Sequence, residues 1–270
     1  MSDIAFIGAG PWGAVLLEAL AFQPDIQVRF VLTDRCETFD RVPSIRDRSV
    51  VSYFVSDRAY TPILDRPPDA IVMAGWRRKI PSWVINALVV PFVNVHASLL
   101  PEFRGPDPIV RQLLHHAAKG GVSIHRVAEG WDSGPVCVQN EFRIEPADTN
   151  RSLFVKASRG AIHALRVFIE RLQRNTLCYT PQDEQKGSYY GRIRVHDWII
   201  HEAMSVDDVV TIAKAFAGQY PLLARRNGCL VHVLDFTFAA PGNTRHESIT
   251  LRDGRLVIRK CTTWRPGPAM

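Results

Sequence analysis

The sequence is 270 residues long and contains no run of the about 18 apolar residues that a membrane-crossing helix needs, so nothing in it is expected to span a bilayer. Its opening, MSDIAFIGAG, has no basic lead and places an acid at Asp3, which does not suit a secretory signal peptide. Cysteine is sparse and scattered: Cys36, Cys137, Cys178, Cys229 and Cys261, never paired as C-x-x-C. An odd, dispersed set fits the reduced thiols of a cytoplasmic protein better than a disulfide framework or a zinc site. No group of His, Cys, Asp and Glu has metal-ligand spacing, so no metal is expected. Long basic runs are missing too. The formal net charge is +6, but the cations are spread out, which reads first as a solvated surface. Such a balance favours anionic partners, small molecules ahead of nucleic acid, without choosing among them. Internal repeats and low-complexity segments are also absent.

What is present is ordinary globular composition, 46% hydrophobic and 22% charged. The run IAFIGAG ends in glycines and is followed by Trp12, Val15, Leu16, Ala19 and Leu20 at helical spacing. With VRFVLT at 28–33 it forms an opening β-α-β unit. AIVMAG at 70–75 and FVNVHA at 92–97 are further strands, with a short helix from Ser82 to Leu88 between them. A helix is expected from Pro108 to about Lys119, then strands in VSIHRVA and PVCVQNEFRI. A long helix from about Asn150 to Arg174 takes Leu153, Val155, Ile162, Leu165, Phe168, Ile169 and Leu172 as its apolar positions. Continuous apolar strands alternating with helices predict an α/β, Rossmann-like, mostly parallel sheet covered on both faces. The polar stretch TLCYTPQDEQKGSYY, 176–190, reads as a linker that separates a domain over 1–175 from a small, mainly β domain over 191–270. That second domain carries a helix from Ser205 to Ala217, with Ser205 and Asp208 as a capping pair, and a hairpin turn at Asp253-Gly254.

Gly8, Gly10 and Gly13 form G-x-G-x-x-G between the first strand and helix, with Asp34 at the end of the second strand. That spacing is a dinucleotide fingerprint and keeps a nicotinamide-binding oxidoreductase open as an alternative. Trp12 inside the turn would crowd a phosphate, and a tight β-α turn needs glycine for steric reasons alone.

The stretch FVNVHASLLPEFRGPDP, 92–108, carries the more specific signal. Asn94 and His96 stand at i and i+2 of a buried strand, so both side chains share one sheet face at the carboxyl end, where open α/β sheets bind ligands. A stiff, glycine-hinged loop follows, with Ser98, Arg104 and Gly105 as substrate-loop candidates. In the second motif, GGVSIHRVAEGWDSGPV, Asp132 is the candidate acid, while His125 reads as a satisfied structural histidine and Trp76 upstream as packing.

Together, Asn-x-His-x-Ser-Leu-Leu-Pro, the following Arg-Gly and the distant Asp-x-Gly resemble the folate-dependent formyltransferase family, and TPQDEQKGSYYGRIRVHDW resembles the family's entry into a C-terminal domain. The resemblance implies a small OB-like second domain and an N-formyltransferase using 10-formyltetrahydrofolate as co-substrate. In such a mechanism a neutral amine attacks a formamide-like carbon, Asn94 donates to the developing oxyanion, His96 polarises the carbonyl and passes protons, and Asp132 raises the histidine's basicity and takes up the amine's proton. It further implies that Arg78, Lys79, Ile80, Ala128, Glu129 and Gly130 line the pterin ring. The preferred acceptor is a small primary amine, a nucleotide-linked amino sugar first and an amino-acid-derived amine such as hydroxyornithine second. Initiator tRNA ranks below both. Family members that act on tRNA carry a basic insertion after the second strand, whereas RCETFDRVPSIRDRSVV here offsets four arginines with Glu37, Asp40 and Asp47. A homodimer is compatible with this reading.

Overall fold

A computed structural model of the chain describes residues 1–34, 42, 51–53, 56–218, 220–226, 229–239 and 248–264. Most of the arginine-bearing stretch weighed against a basic insertion therefore lies outside the described residues. The chain divides into two compact units.

The first unit comprises Met1–Pro108, Lys119–Arg143 and Val155–Gly191. Its strands are β1 (Ser2–Gly8), β2 (Ile26–Thr33), β3 (Val51–Tyr53), β4 (Ala70–Ala74), β5 (Phe92–His96), β6 (Lys119–Arg126) and β7 (Val136–Arg143), in the sheet order β3-β2-β1-β4-β5-β6-β7. The first five run parallel, and β6 and β7 each pair antiparallel with the preceding strand. The β6–β7 link explains the reversal there: it spans only residues 127–135 and carries no helix, too little for a parallel crossover. The central strands are buried on both faces, which is why Ile4–Ile7 and Ala70–Val72 are uninterrupted apolar runs.

The first glycine turn is packed by the protein's own backbone. Ala9 N–H donates to the Ala74 carbonyl at 3.2 Å, and Gly13 N–H donates to the Ala9 carbonyl. A Cβ at Gly8 or Gly13 would press on the Ala74 carbonyl, at 2.7 and 3.1 Å respectively. Trp12 turns its indole N–H onto the Val95 carbonyl at 2.9 Å. These contacts account for Gly8, Gly13 and Trp12 without a bound pyrophosphate.

Helix α1 (Gly10–Ala21) follows β1, α2 (Thr61–Asp65) precedes β4, and α3 (Ser82–Ala87) lies between β4 and β5. Helix α4 covers Pro108–Leu114 rather than reaching Lys119. It stops because His116 adopts φ +49, with Ala117 N–H bonded to the Gln112 carbonyl and His116 N–H to that of Leu113, a left-handed carboxyl cap. Helix α5 (Asn150–Gln173) ends the same way at Asn175. Its buried stripe is Leu153, Ala157, Ala161, Ala164, Leu165, Phe168 and Ile169, whereas Val155 is 44% exposed and belongs to the outer face.

The second unit gathers Ile109–Ala118, Ile144–Phe154 and Arg192–Met270. A sheet ordered β11-β12-β10-β9-β8 is built from β8 (Ile199–Ile200), β9 (Leu223–Arg226), β10 (Cys229–Ala239), β11 (Ser248–Thr250) and β12 (Arg255–Thr263), antiparallel except for β8 with β9. Its core holds Ile200, Val209, Val231, Val233, Leu256 and Ile258. Helix α6 (Val206–Phe216) opens on the expected box: Ser205 Oγ accepts from Asp208 N–H, and the Asp208 carboxylate accepts from Ser205 N–H. Lys214 Nζ donates to the Pro146 carbonyl at 2.9 Å, which helps explain why 144–154 groups with this unit. Residues 176–190, linker-like in sequence, are bound into the first unit: Thr180 pairs with Val136, and Tyr190 N–H donates to the Arg104 carbonyl. No helix among the described residues is long and apolar enough to cross a membrane.

Candidate active site

The site lies wholly within the first unit, at the end of β5. Asn94 and His96 project from one face of this strand and are 8% and 6% exposed. The antiparallel register sets Asn94 directly opposite His125 on β6, which brings a second imidazole to the same face. The segment after β6 then returns Asp132 to these groups, with Asp132 in the left-handed region at φ +49.

Asp132 organises the cluster. Its Oδ1 accepts from Asn94 Nδ2 at 3.1 Å, and its Oδ2 accepts from Gly105 N–H at 2.9 Å. His96 Nδ1 stands 3.6 Å from Oδ2, and His125 Nε2 stands 3.4 Å from Oδ1. Burial by itself would raise the Asp132 pKa; the charge of His96, the proximity of His125 and the Gly105 N–H outweigh it and hold the carboxyl well below the usual carboxylate range. Asp132 is therefore ionised at neutral pH.

The carbonyl partners assign the histidine protons. His96 Nε2 lies 2.8 Å from the Phe103 carbonyl, which can only accept, so Nε2 carries the hydrogen and a neutral ring leaves Nδ1 bare toward Asp132. His125 Nδ1 donates to the Arg126 carbonyl at 2.9 Å, leaving Nε2 to accept from Asn94 Nδ2 at 3.1 Å. Both amide hydrogens of Asn94 are thus engaged, one by Asp132 and one by His125.

The loop after β5 is fixed by polar side chains. Ser98 Oγ donates to the Glu102 carbonyl, and Ser123 Oγ donates to the Ser98 carbonyl while accepting from Leu100 N–H and Gln139. The Leu100–Pro101 peptide is cis. Gly105 has φ +96, and a Cβ there would run into the Tyr190 carbonyl, so only glycine suits the position. Of the three substrate-loop candidates, Ser98 and Arg104 are buried and bonded within the protein, Arg104 to Gln182 and Glu184, while Gly105 touches Asp132 directly.

Among the pterin-lining candidates, Ile80 is buried in one apolar cluster with Trp76, Phe92 and Val127. The loops 76–80 and 127–131 are therefore rooted in the same packing. Arg78, Lys79, Glu129 and Gly130 are exposed and Ala128 is half-buried. Arg78 Nε lies 3.8 Å from Asp34, the acid of the fingerprint spacing. Trp76 packs in the core. His125, read in the sequence as a satisfied structural histidine, joins the cluster through strand register, and Gln182, bonded to main-chain carbonyls and to Arg104, is a contributor that the sequence does not single out.

Residues 5–166 match the formyl transferase family, and the chain belongs to that family. The methionyl-tRNA formyltransferase of Dictyoglomus thermophilum is 29% identical over 176 residues, 65% of this chain and 56% of that protein. The methionyl-tRNA formyltransferase of Bacillus cytotoxicus is 34% identical over 150 residues, 56% of this chain and 48% of its own length. The chain spans about half the length of these curated relatives. Among solved structures, HypX from Aquifex aeolicus in complex with tetrahydrofolic acid gives a TM-score of 0.70 at 17% identity, over 98% of this chain and 44% of that one. The N-formyltransferase from Helicobacter canadensis, in complex with folinic acid and dTDP-3-aminofucose, gives 0.66 at 18% identity, over 96% of this chain and 99% of that one. At these identities the two structures establish a common fold.

Proposed function

We propose that the chain is a cytoplasmic N-formyltransferase that moves a formyl group from 10-formyltetrahydrofolate to a primary amine, with a nucleotide-linked amino sugar as the favoured acceptor. The observation that carries this reading is the placement of His96 Nδ1 3.6 Å from the Asp132 carboxylate, beside the Asn94 amide and with His96 Nε2 held by the Phe103 carbonyl.

The residues present fit such a co-substrate. Loops 76–80 and 127–131 share one apolar root, and Arg78, Lys79, Ala128, Glu129 and Gly130 on them would border a fused ring, while Asn94 offers an N–H donor for a formamide-like oxygen. When bound, the folate supplies the formyl carbon that the amine attacks. Asn94 stabilises the growing negative charge on the carbonyl oxygen by giving up its bond to His125, the weaker of its two acceptors because Asp132 is charged. A proton lost by the amine is taken at the face where His96 Nδ1 and Asp132 Oδ2 stand 3.6 Å apart, and the resulting imidazolium is stabilised by the adjoining carboxylate. The proton would be returned to the folate nitrogen as its bond to the formyl carbon breaks and tetrahydrofolate leaves. The Phe103 carbonyl holds the ring in the tautomer that makes this possible.

A sugar-nucleotide acceptor is favoured by the nearly end-to-end match to the Helicobacter canadensis structure, and the net charge of +6 suits a phosphate-bearing molecule. The sequence relatives named above act in the name of methionyl-tRNA, which keeps charged tRNA as the second reading. The test is incubation with 10-formyltetrahydrofolate and separate panels of nucleotide-linked amino sugars, ornithine derivatives and charged tRNA, read by mass spectrometry. A gain equal to one CO on a sugar nucleotide is the expected result. Stabilisation by reduced nicotinamide cofactors but not by a stable folate analogue, with no acceptor modified, would overturn the proposal.

A further inference from the structure

Gln182 stands outside the family-matched segment, in the polar stretch that looks like a connector. Its side-chain amide is nevertheless committed to the loop that carries Asp132. Nε2 donates to the Asp132 carbonyl at 2.8 Å and to the Gly134 carbonyl at 2.6 Å. Oε1 accepts from Arg104 Nε at 3.0 Å and from Nη2 at 2.7 Å. The far side of the guanidinium is closed by Glu184, with Nη1 to Oε2 at 2.8 Å and Nη2 to Oε1 at 2.9 Å. Arg104 precedes Gly105, whose N–H holds the Asp132 carboxylate.

We infer that Gln182 is a positioning residue for Asp132: one amide ties the Asp132 backbone to the Arg104–Gly105 segment, so that the carboxylate is aimed at His96. The inference rests on the formyl-transfer reading of the same site and deepens it. Asp132 sits at φ +49, a left-handed state uncommon for a non-glycine residue even though aspartate enters it more readily than most, so bonds to its own peptide add a constraint on the backbone there. The two Gln182 donors supply that constraint at the residue itself and at Gly134. The Arg104 bonds hold the opposite jaw, because a shift of Arg104 carries Gly105 N–H away from Oδ2. Every hydrogen-bonding position of the Gln182 amide is used, which a solvated connector would not require. The groups facing the Asp132 carboxylate are His96 from β5, His125 from β6, the Asn94 amide and Gly105 N–H.

The test uses the full chain with Gln182→Ala and the isosteric Gln182→Glu, which keeps acceptors for Arg104 but loses the amide hydrogens. Both should lower kcat by about 10- to 100-fold, the scale of a misplaced catalytic group, with KM for donor and acceptor nearly unchanged. In parallel, the Asp132 side-chain carboxyl carbon is followed by NMR across acid pH without substrate. Its titration lies well below the ordinary range in the parent chain and should move up toward the ordinary 3.8 in both variants. An unchanged titration and kcat in Gln182→Ala would overturn the inference, as would full recovery of both in Gln182→Glu. If the parent chain transfers no formyl group yet the carboxyl titration still moves, positioning stands and the formyl-transfer reading falls.

Discussion

Asp132→Asn replaces a carboxylate with an amide of the same shape, and the structure sets what each end of it meets. The Oδ1 position receives Asn94 Nδ2 at 3.1 Å, and the Oδ2 position receives Gly105 N–H at 2.9 Å. Both neighbours are donors, whereas the new side chain has one acceptor and one NH2 group. Whichever way it turns, the NH2 confronts either Asn94 or Gly105. Losing one hydrogen bond to a buried charged group costs about 1.5–3 kcal/mol. On a chain of this size each kcal/mol is worth about 2–4 °C, so the melting temperature should fall by roughly 3–12 °C. The effect on catalysis is larger, because the charged acceptor beside His96 Nδ1 is gone, and kcat should drop by about 10²–10⁴-fold.

The pH dependence separates these two contributions. In the folded chain the Asp132 carboxyl is held below its ordinary value of 3.8 despite burial, by His96, His125 and Gly105 N–H. A lowered carboxyl contributes stability that is fully present above the ordinary value and is lost as pH falls toward the folded one. The stability gap between parent and Asp132→Asn should therefore be widest near neutral pH and shrink below about pH 4. Urea denaturation of both chains at several pH values measures it. A gap that widens on acidification, or a variant with parental kcat, refutes the reasoning.

Asn94→Ala removes the side-chain amide that faces both His125 and Asp132, and should cost about 10²–10³ in kcat while circular dichroism shows a folded chain. Gly105→Ala forces a Cβ against the Tyr190 carbonyl at φ +96, and should destabilise by about 1–2 kcal/mol or more in chemical denaturation while lowering turnover through the displaced N–H. Ser205→Ala removes the amino-terminal cap of α6 and should cost about 1 kcal/mol in the same assay.

The parts of this molecule legible in sequence are those whose partners are implied by their own spacing. β1, β4 and β5 show as apolar runs because both their faces are buried, and Asn94 with His96 shows as a polar pair because period-two alternation puts them on one face. The Ser205–Asp208 box is equally local. Val155 misleads in sequence because an apolar side chain at a helical interval looks buried, whereas the stripe of α5 runs through Ala157, Ala161 and Ala164, small residues that carry little hydrophobic signal. The early end of α4 depends on His116 entering the left-handed region, where no glycine announced it. His125 joins the site only through the β5–β6 register, since a shift of one residue would turn it to the opposite face of the sheet. Gln182 is harder still to foresee. Two of its bonds end on the main-chain carbonyls of Asp132 and Gly134, an acceptor that every residue possesses, so that half of its pairing leaves no mark in the sequence. Only the folded path of the chain, returning alongside β7 at Thr180, carries position 182 to the carboxylate's own peptide. A positioning role of this kind follows from where backbone runs, and it must be sought in the structure even where the catalytic side chains can be read in advance.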